Sequence, residues 1–370
     1  MNAEGTVIVG GGPAGAAAAI ALAREGAAPL LLERSRAVTE KVCGEFLGGD
    51  AAAGLATLGL DLAALGAKPV RRAVIAAGSR QAAFDLPFPA WSLPRAVLDA
   101  ALLDRAAALG ARLRFGVTVI AAEQQSPGWR LRLAAAESLE VSRLILATGK
   151  HELRGVARGV PGGALGLKLP LLGVDMGQTI ALLAFAGGYA GLQPRGGGGA
   201  NLCLAIDPGA PGAPEAARDP AALIELVRRG SLAARDMLRD AAPAWARPLA
   251  IGGVPYGYLA RGAALPGLFR VGDQAAVVAS LCGDGIAMAL ASGQGAARTV
   301  LMGGDAAAHQ GRWAQSVGPG MRVAGLLDRA MARTPGPLVL ATGWMPSAAR
   351  WAARRTRMGL PSWSRCATRA

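Results

Sequence analysis

The chain has 370 residues, 52% of them hydrophobic and 17% charged, with a formal net charge of +14. That length buries a large core and allows two or three domains, and so apolar a composition excludes a disordered or fibrous protein. The positive charge sits mostly on arginines scattered among alanines and glycines, with no basic stripe interleaved with aromatics before residue 320, so no nucleic-acid partner is expected.

The first predicted elements lie in "TVIVGGGPAGAAAAIALAREGAAPLLLER". Thr6 to Val9 is a β-branched run of the length of a buried parallel strand. Gly10, Gly12 and Gly15 follow in G-x-G-x-x-G spacing and open an alanine-rich helix that runs from Pro13 or Ala14 to about Arg24. Gly26 ends this helix, and Leu30 to Leu32 form a second strand that closes on Glu33 and Arg34. Each residue type has a physical task. Gly10 permits a tight turn, Gly12 lets backbone approach a pyrophosphate, and Gly15 lets helix pack on strand. The helix N-terminus offers free N–H groups and a positive dipole end to phosphates. Glu33 is placed to accept hydrogen bonds from a ribose diol. Strand, loop, helix, strand and acid in this order make a dinucleotide-binding fingerprint, without choosing between FAD and NAD.

Further along come "EKVCGEFLGG" and a helix opening on "PRAVLD", with Arg95 at its start and apolar Val97, Leu98, Ala101 and Leu102. "ARLRFGVTVIAAEQQSPGWRLRLAAAESLEVSRLIL" reads as a small meander with a turn at Ser126-Pro127-Gly128. "SRLILATGK" is a strand ending in Ala147-Thr148-Gly149. Short strands and a helix near Pro220 to Arg239 follow, and "GLFRVGDQAA" is a strand ending in Gly272-Asp273. Gly283, Asp284 and Gly285 predict a turn that opens a helix at Ile286, with Asp284 near the N-cap. From Met321 the chain carries nine arginines and one acid, Asp328, with Trp344, Trp351 and Trp363 among them. His309 is read as a helix-surface residue and His151 as a solvent-facing loop residue.

The four cysteines, Cys43, Cys203, Cys282 and Cys366, form no C-x-x-C pair, which argues against a zinc site or disulfide framework and fits a reducing compartment. No charged-then-apolar leader follows Met1 and no apolar run reaches transmembrane length, so a cytoplasmic protein is expected.

The ordered blocks "VIVGGGPAG…LLER", "KVCGEFL", "LPRAVLDAALLDRAAALGA", "LILATG", "GGYAGLQP" and "RVGDQAAVVASLCGDGIAMALASG" resemble the FAD-dependent family that includes geranylgeranyl reductases and aromatic (group A) flavoprotein hydroxylases. The resemblance covers nearly the whole chain. It implies an α/β protein with a PHBH-like two-domain fold, in which a Rossmann-like FAD-binding domain carries an inserted mixed α+β substrate domain. The FAD-binding domain would be discontinuous, over 1–68, 92–155 and 262–325. Residues 69–91 and 156–261 would form the substrate domain, and 326–370 a basic helical tail.

Carried onto this chain, the resemblance assigns cofactor binding to Gly10, Gly12, Pro13, Ala14, Gly15, Glu33 and Arg34. It adds Lys41, Cys43 and Gly44 beside the flavin, then Arg95, Ala147, Thr148 and Gly149. Asp273, after Gly272, would hold the ribitol chain, and Gly283, Asp284, Gly285 and Ile286 would face the flavin pyrimidine edge. Cys43, Glu45 and Cys282 are the catalytic candidates, with a Cys43–Cys282 disulfide as an untested pairing. Lys168, Tyr189, Asn201, Cys203, Tyr256 and Tyr258 are candidates to line an apolar substrate pocket.

The chain also departs from the family. It reads "ATGKHELRG" where aromatic hydroxylases carry an Asp-Gly pair that helps hold FAD and serves NAD(P)H, and it lacks the tryptophan motif of flavin-dependent halogenases. NAD(P)H therefore stands as a candidate transient donor beside a donor protein. Three functions stay open. The first is a monooxygenase acting on a hydrophobic aromatic, polyketide or quinone-like molecule. The second is a reductase saturating isoprenoid double bonds, and the third an electron-transfer flavoprotein docked on the inner face of a membrane by its tail.

Overall fold

The computed structural model describes residues 5–357 apart from 161, 197 and 263; Trp363 and Cys366 lie outside the described residues. The chain begins β1 (Thr6–Val9), α1 (Pro13–Arg24), β2 (Leu30–Glu33), β3 (Phe46–Gly48) and α2 (Gly49–Thr57). A long hairpin, β4 (Lys68–Ala77) and β5 (Arg80–Ser92), leads into α3 (Arg95–Ala108) and β6 (Arg112–Phe115). The meander β7 (Val119–Gln124), β8 (Trp129–Leu133) and β9 (Ser138–Val141) precedes β10 (Arg143–Leu146). Then come β11 (Ala164–Leu172), β12 (Thr179–Phe185), β13 (Gly188–Pro194) and β14 (Ala200–Ile206). Three short helices follow, α4 (Ala213–Ala216), α5 (Pro220–Arg228) and α6 (Leu232–Met237), then β15 (Ala242–Pro243), β16 (Leu249–Val254) and β17 (Leu268–Arg270). The last described elements are α7 (Gly285–Leu301), α8 (Ala306–Arg333), α9 (Pro335–Trp344) and α10 (Pro346–Arg355).

Five strands form a parallel sheet in the order β17-β10-β1-β2-β6. Its inner strands read as unbroken apolar runs because both faces are covered: every residue of β1 is buried, as are Leu144 to Leu146 of β10. Helix α1 lies between this sheet and α7. Its alanines, Ala16 to Ala19, are completely buried, and Gly293 of α7 approaches so closely that a Cβ there would stand 2.1 Å from the Ala14 carbonyl oxygen. Small residues on both helices make that crossing possible.

The second sheet has nine strands, in the order β15-β11-β14-β13-β12-β4-β5-β3, with β16 also on β11. Alternation along its strands sorts two faces. Ala76, Leu169 and Leu183 pack against Leu223, Ile224 and Val227 of α5, while Ile75, Ala184 and Tyr189 turn toward Met331 of α8 and Val339 of α9. These two sheets are the α/β, two-domain architecture that the resemblance implies.

Several local expectations change. β6 joins the parallel sheet instead of the meander, because Arg112 to Phe115 pair with β2. The helix expected over Pro220 to Arg239 is two helices broken at Gly230, where a Cβ would lie 2.3 Å from the Ala184 carbonyl oxygen. β3 pairs with β5 and so adds to the nine-stranded sheet. Helix α8 starts at Ala306, well before the change of composition, because Trp313, Val317, Met321 and Ala324 form one apolar stripe packed on residues 275–291. His309 is buried against Phe269, ring centroids 6.0 Å apart, rather than on the helix surface.

Candidate functional site

Three strand ends, the loop after β1 and the start of α7 converge on one cavity of about 960 Å³. At Gly10 the backbone is left-handed (φ 111°), and a Cβ would stand 2.3 Å from the Ala147 carbonyl oxygen. At Gly15 a Cβ would stand 1.9 Å from the Gly10 carbonyl oxygen. Both glycines are therefore required by close packing, whereas Gly12 borders open space, with only Arg95 Nη2 within 4 Å of a Cβ built there. Helix α1 has no side-chain cap, so its first N–H groups open into the cavity.

Glu33 closes β2 and is held on both oxygens: Oε2 accepts from Gly11 N at 2.8 Å and Oε1 from Ser35 N at 2.9 Å. Partial burial disfavours its charge, but these two N–H groups outweigh that, and the carboxyl stays below its ordinary range. Arg34 touches His151, Nη2 to Nε2 at 2.7 Å, and burial together with the cations Arg34 and Lys41 holds the His151 imidazole below its usual pKa. The expectation of an exposed loop histidine holds in position, yet the side chain also borders the cavity.

The "KVCGE" segment crosses the cavity between the two sheets. Arg95, at the start of α3, binds Asp99 through Nε and Nη2 (2.9 and 2.8 Å), and its guanidinium also contacts Cys43. Glu45 takes a left-handed backbone (φ 62°), unusual for a residue with a side chain. Its Oε1 accepts from Arg95 N at 3.0 Å and from Lys168 Nζ at 2.5 Å. Lys168 also donates to Glu40 at 2.7 Å, and Glu40 accepts from Arg195 at 2.9 Å. Lys168 and Glu45 are fully buried and form an ion pair, with Glu40 as the second partner of Lys168. Asn201 holds this segment by donating to the carbonyls of Cys43 and Gly44 at 3.1 and 3.2 Å.

On the far side, Gly149 and His151 offer carbonyls to Gln274 Nε2, 2.9 Å each, tying the end of β10 to the turn that carries Asp273. Gly272 N donates to Ser292 Oγ at 2.8 Å. Gly283 is left-handed (φ 69°), and Phe46 sits where its Cβ would be. Asp284 occupies the N-cap position of α7 but caps nothing; its carboxylate pairs with Arg357 and its Oδ2 has no partner. Burial, opposed by Arg357, pushes its pKa up to about 7.

All the fingerprint and loop residues named from sequence border this cavity except Gly15, which lies under it. Tyr189, Cys203 and Tyr256 also line it, whereas Lys168, Asn201 and Tyr258 do not. Cys43 and Cys282 are both free thiols, and burial, with Asp284 beside it, lifts Cys282 beyond titration at neutral pH. Sequence reasoning expected an apolar pocket but did not name the residues that wall its apolar end. That end is walled by Ile75, Phe84, Leu86, Phe88 and Leu182 of the large sheet and by Met331, Leu338, Ala349 and Ala353 of the C-terminal helices. The alternation Phe84, Leu86, Phe88 was a usable sign of one strand face. Where the two ends meet, the Tyr189 hydroxyl bonds Ser280 Oγ at 2.6 Å and Asp328 Oδ1 at 3.0 Å.

The residues fit an extended dinucleotide. Two uncapped helix N-termini open on one enclosure, Gly12, Gly44 and Gly149 leave room along it, and a buried carboxylate oxygen stands unpartnered at its far end. Residues 4–142 match the family model of the FAD binding domain. No curated protein matches the sequence. Among solved structures, the chain is similar to the flavin-dependent brominase Bmp2 (17% identity, TM-score 0.77, covering 98% of this chain and 97% of that one). It is similar also to the myxobacterial chondrochloren halogenase CndH, at 20% identity and TM-score 0.74 over 95% and 90% of the two chains. A geranylgeranyl bacteriochlorophyll reductase-like protein of Thermoplasma acidophilum aligns at 19% identity and TM-score 0.71, over 97% and 94%. These likenesses establish the fold, and the match over residues 4–142 supports FAD as the cofactor.

Proposed function

We propose that this chain, with an FAD-binding domain at its N-terminal end, is an FAD-dependent oxidoreductase of the monooxygenase kind acting on a hydrophobic aromatic, polyketide or quinone-like molecule. The observation that carries this reading is the continuity of one cavity, from the Gly10–Gly12 loop past Cys43 and Asp273 to an apolar end lined by Ile75, Phe84, Phe88 and Leu182. FAD, when bound, supplies electron transfer and oxygen activation. The protein's residues supply the rest. Gly12 and the N-terminus of α1 would take the pyrophosphate, Glu33 a ribose hydroxyl and Asp273 the ribitol, while the dipole of α7 would favour negative charge at the flavin edge. The apolar walls exclude water and orient a ring. At the junction, the Tyr189 hydroxyl donates to Asp328, accepts from Leu281 N and contacts Ser280 Oγ, so it can pass a proton toward Asp328.

A second reading, reduction of an isoprenoid double bond, is favoured by Cys43: its thiol lines the same cavity beside Arg95 and is only partly buried, so it would be available to donate a proton to a substrate carbon bound there. The test is an anaerobic titration of the FAD-loaded protein with NADPH, followed by oxygen uptake with phenols and quinols. Bleaching of the flavin band, with oxygen consumed in step with a hydroxylated product, is the expected result. Turnover of an alkene without oxygen uptake establishes the second reading instead. A flavin that stays oxidised in NADPH but reduces with a donor protein replaces the nicotinamide donor.

A further inference from the structure

Asp284 is a carboxylate buried to 2% exposure, with one oxygen unpartnered, at the head of α7. Such a group is costly to ionise without a nearby cation. The cation comes from the other end of the chain. Helix α10 lies across β5, turns Ala349, Ala352, Ala353 and Thr356 into the cavity, and ends by delivering Arg357. Arg357 Nη1 pairs with Asp284 Oδ1, and Nη2 donates to the Cys282 carbonyl. The guanidinium stacks on Phe88, 4.4 Å from the ring centroid. Gly48 keeps its space clear: a Cβ there would stand 2.5 Å from Nη1. The other groups acting on Asp284 and its neighbour Cys282 do not replace this cation. Asp50 of α2 and the Asp328 carboxylate of α8 are acidic, and Thr356 is a neutral hydroxyl.

We propose that Arg357 is a positioning residue of the cofactor site: from the C-terminal helix it fixes the Asp284 carboxylate and the Cys282 carbonyl, and so holds the Cys282–Gly285 loop in the shape that the flavin end of FAD meets. This rests on the reading of the cavity as an FAD site. It makes the C-terminal helix part of that site although it is far from the fingerprint in sequence. Burial alone would leave Asp284 protonated at neutral pH, and Arg357 opposes that.

The experiment compares wild type with Arg357→Met, Arg357→Lys and Asp284→Asn in two readouts: FAD dissociation, followed by flavin fluorescence, and the pH dependence of the bound-flavin spectrum between pH 5.5 and 9. Arg357→Met is expected to weaken FAD binding about tenfold or more, the scale of one charge-assisted hydrogen bond. It should also raise the midpoint of the spectral step by about one pH unit, while Asp284→Asn removes the step. Arg357→Lys, which restores the charge without the forked geometry, should fall between wild type and Arg357→Met and keeps the test open if the methionine variant fails to fold. Wild type that binds FAD, with affinity and titration unchanged by these substitutions, overturns the role of Arg357 alone. Wild type that binds no FAD overturns the cavity reading with it.

Discussion

Single residues in this protein divide into those whose task depends on neighbours in the chain and those whose task depends on the fold. Glu33 belongs to the first kind, because its partners Gly11 and Ser35 sit in the same strand–loop unit that sequence spacing defines. His309 belongs to the second. Nothing in its neighbourhood of alanines marks it as buried, yet the helix rotates it onto Phe269, where burial lowers its pKa to about 4 and its Nε2 has no partner. An imidazole kept neutral in the fold, but free to protonate near pH 6.5 when unfolded, contributes stability that is present above pH 6.5 and is lost as pH falls toward 4. The full effect is about 3 kcal/mol, of which about 2 is gone at pH 5. Urea unfolding at pH 7.5 and 5.0 should therefore show a wild-type loss on acidification that His309→Phe greatly reduces; an equal loss in both proteins would mean that other groups govern the acid limb.

At the scale of elements, the fingerprint was legible because a strand, a glycine loop and an alanine-rich helix are local structures whose order is their signature. The helix that completes the cradle, α7, was legible by resemblance, but the contact between α1 and α7 was not. It depends on Gly293 meeting the backbone at Ala14, two residues with no sequence relation. Gly293→Ala puts a methyl 2.1 Å from the Ala14 carbonyl oxygen, so the helices must part. The expected cost is about 1–3 kcal/mol of overpacking. Because both helix N-termini open on the same cavity, FAD retention should fall with the melting temperature. A variant with unchanged stability and full FAD content would show that the crossing can relax without moving the cradle. The same logic explains Asp284: sequence position makes it an N-cap, and only the fold brings Arg357 to pair with it instead.

For the whole molecule, the unexpected feature is the use made of the C-terminal helices. Their arginines and tryptophans suggested a basic helical tail or a membrane contact, and no described helix is long and apolar enough to cross a membrane. In the structure α8, α9 and α10 wall the apolar half of the cavity with Met331, Leu338, Thr342 and Ala353, opposite Phe84 and Phe88. Outward, α9 and α10 still expose Trp344 and Trp351. Removing residues 334–370 should uncover the strand face of β4 and β5, raising the fluorescence of a hydrophobic dye and weakening binding of apolar ligands, while far-UV circular dichroism keeps its sheet signal. Dye binding equal to that of the full chain would mean that the helices cover no apolar surface of consequence.

By itself the sequence determined the nucleotide half of this protein. Periodicity, glycine spacing and terminal acids are local constraints on backbone, and a phosphate-binding loop is built from backbone, so its chemistry is written where it acts. Tertiary structure alone decided the rest. Lys168 of β11 met Glu45 because the Cys43–Gly44 loop is held against the large sheet by Asn201 of β14, Tyr189 met Asp328 through the seat of α8, and Arg357 met Asp284 through the return of α10 across β5. Those pairings join residues more than seventy positions apart, and their partners are chosen by which faces must be buried together, a property of the packed whole that no stretch of sequence carries.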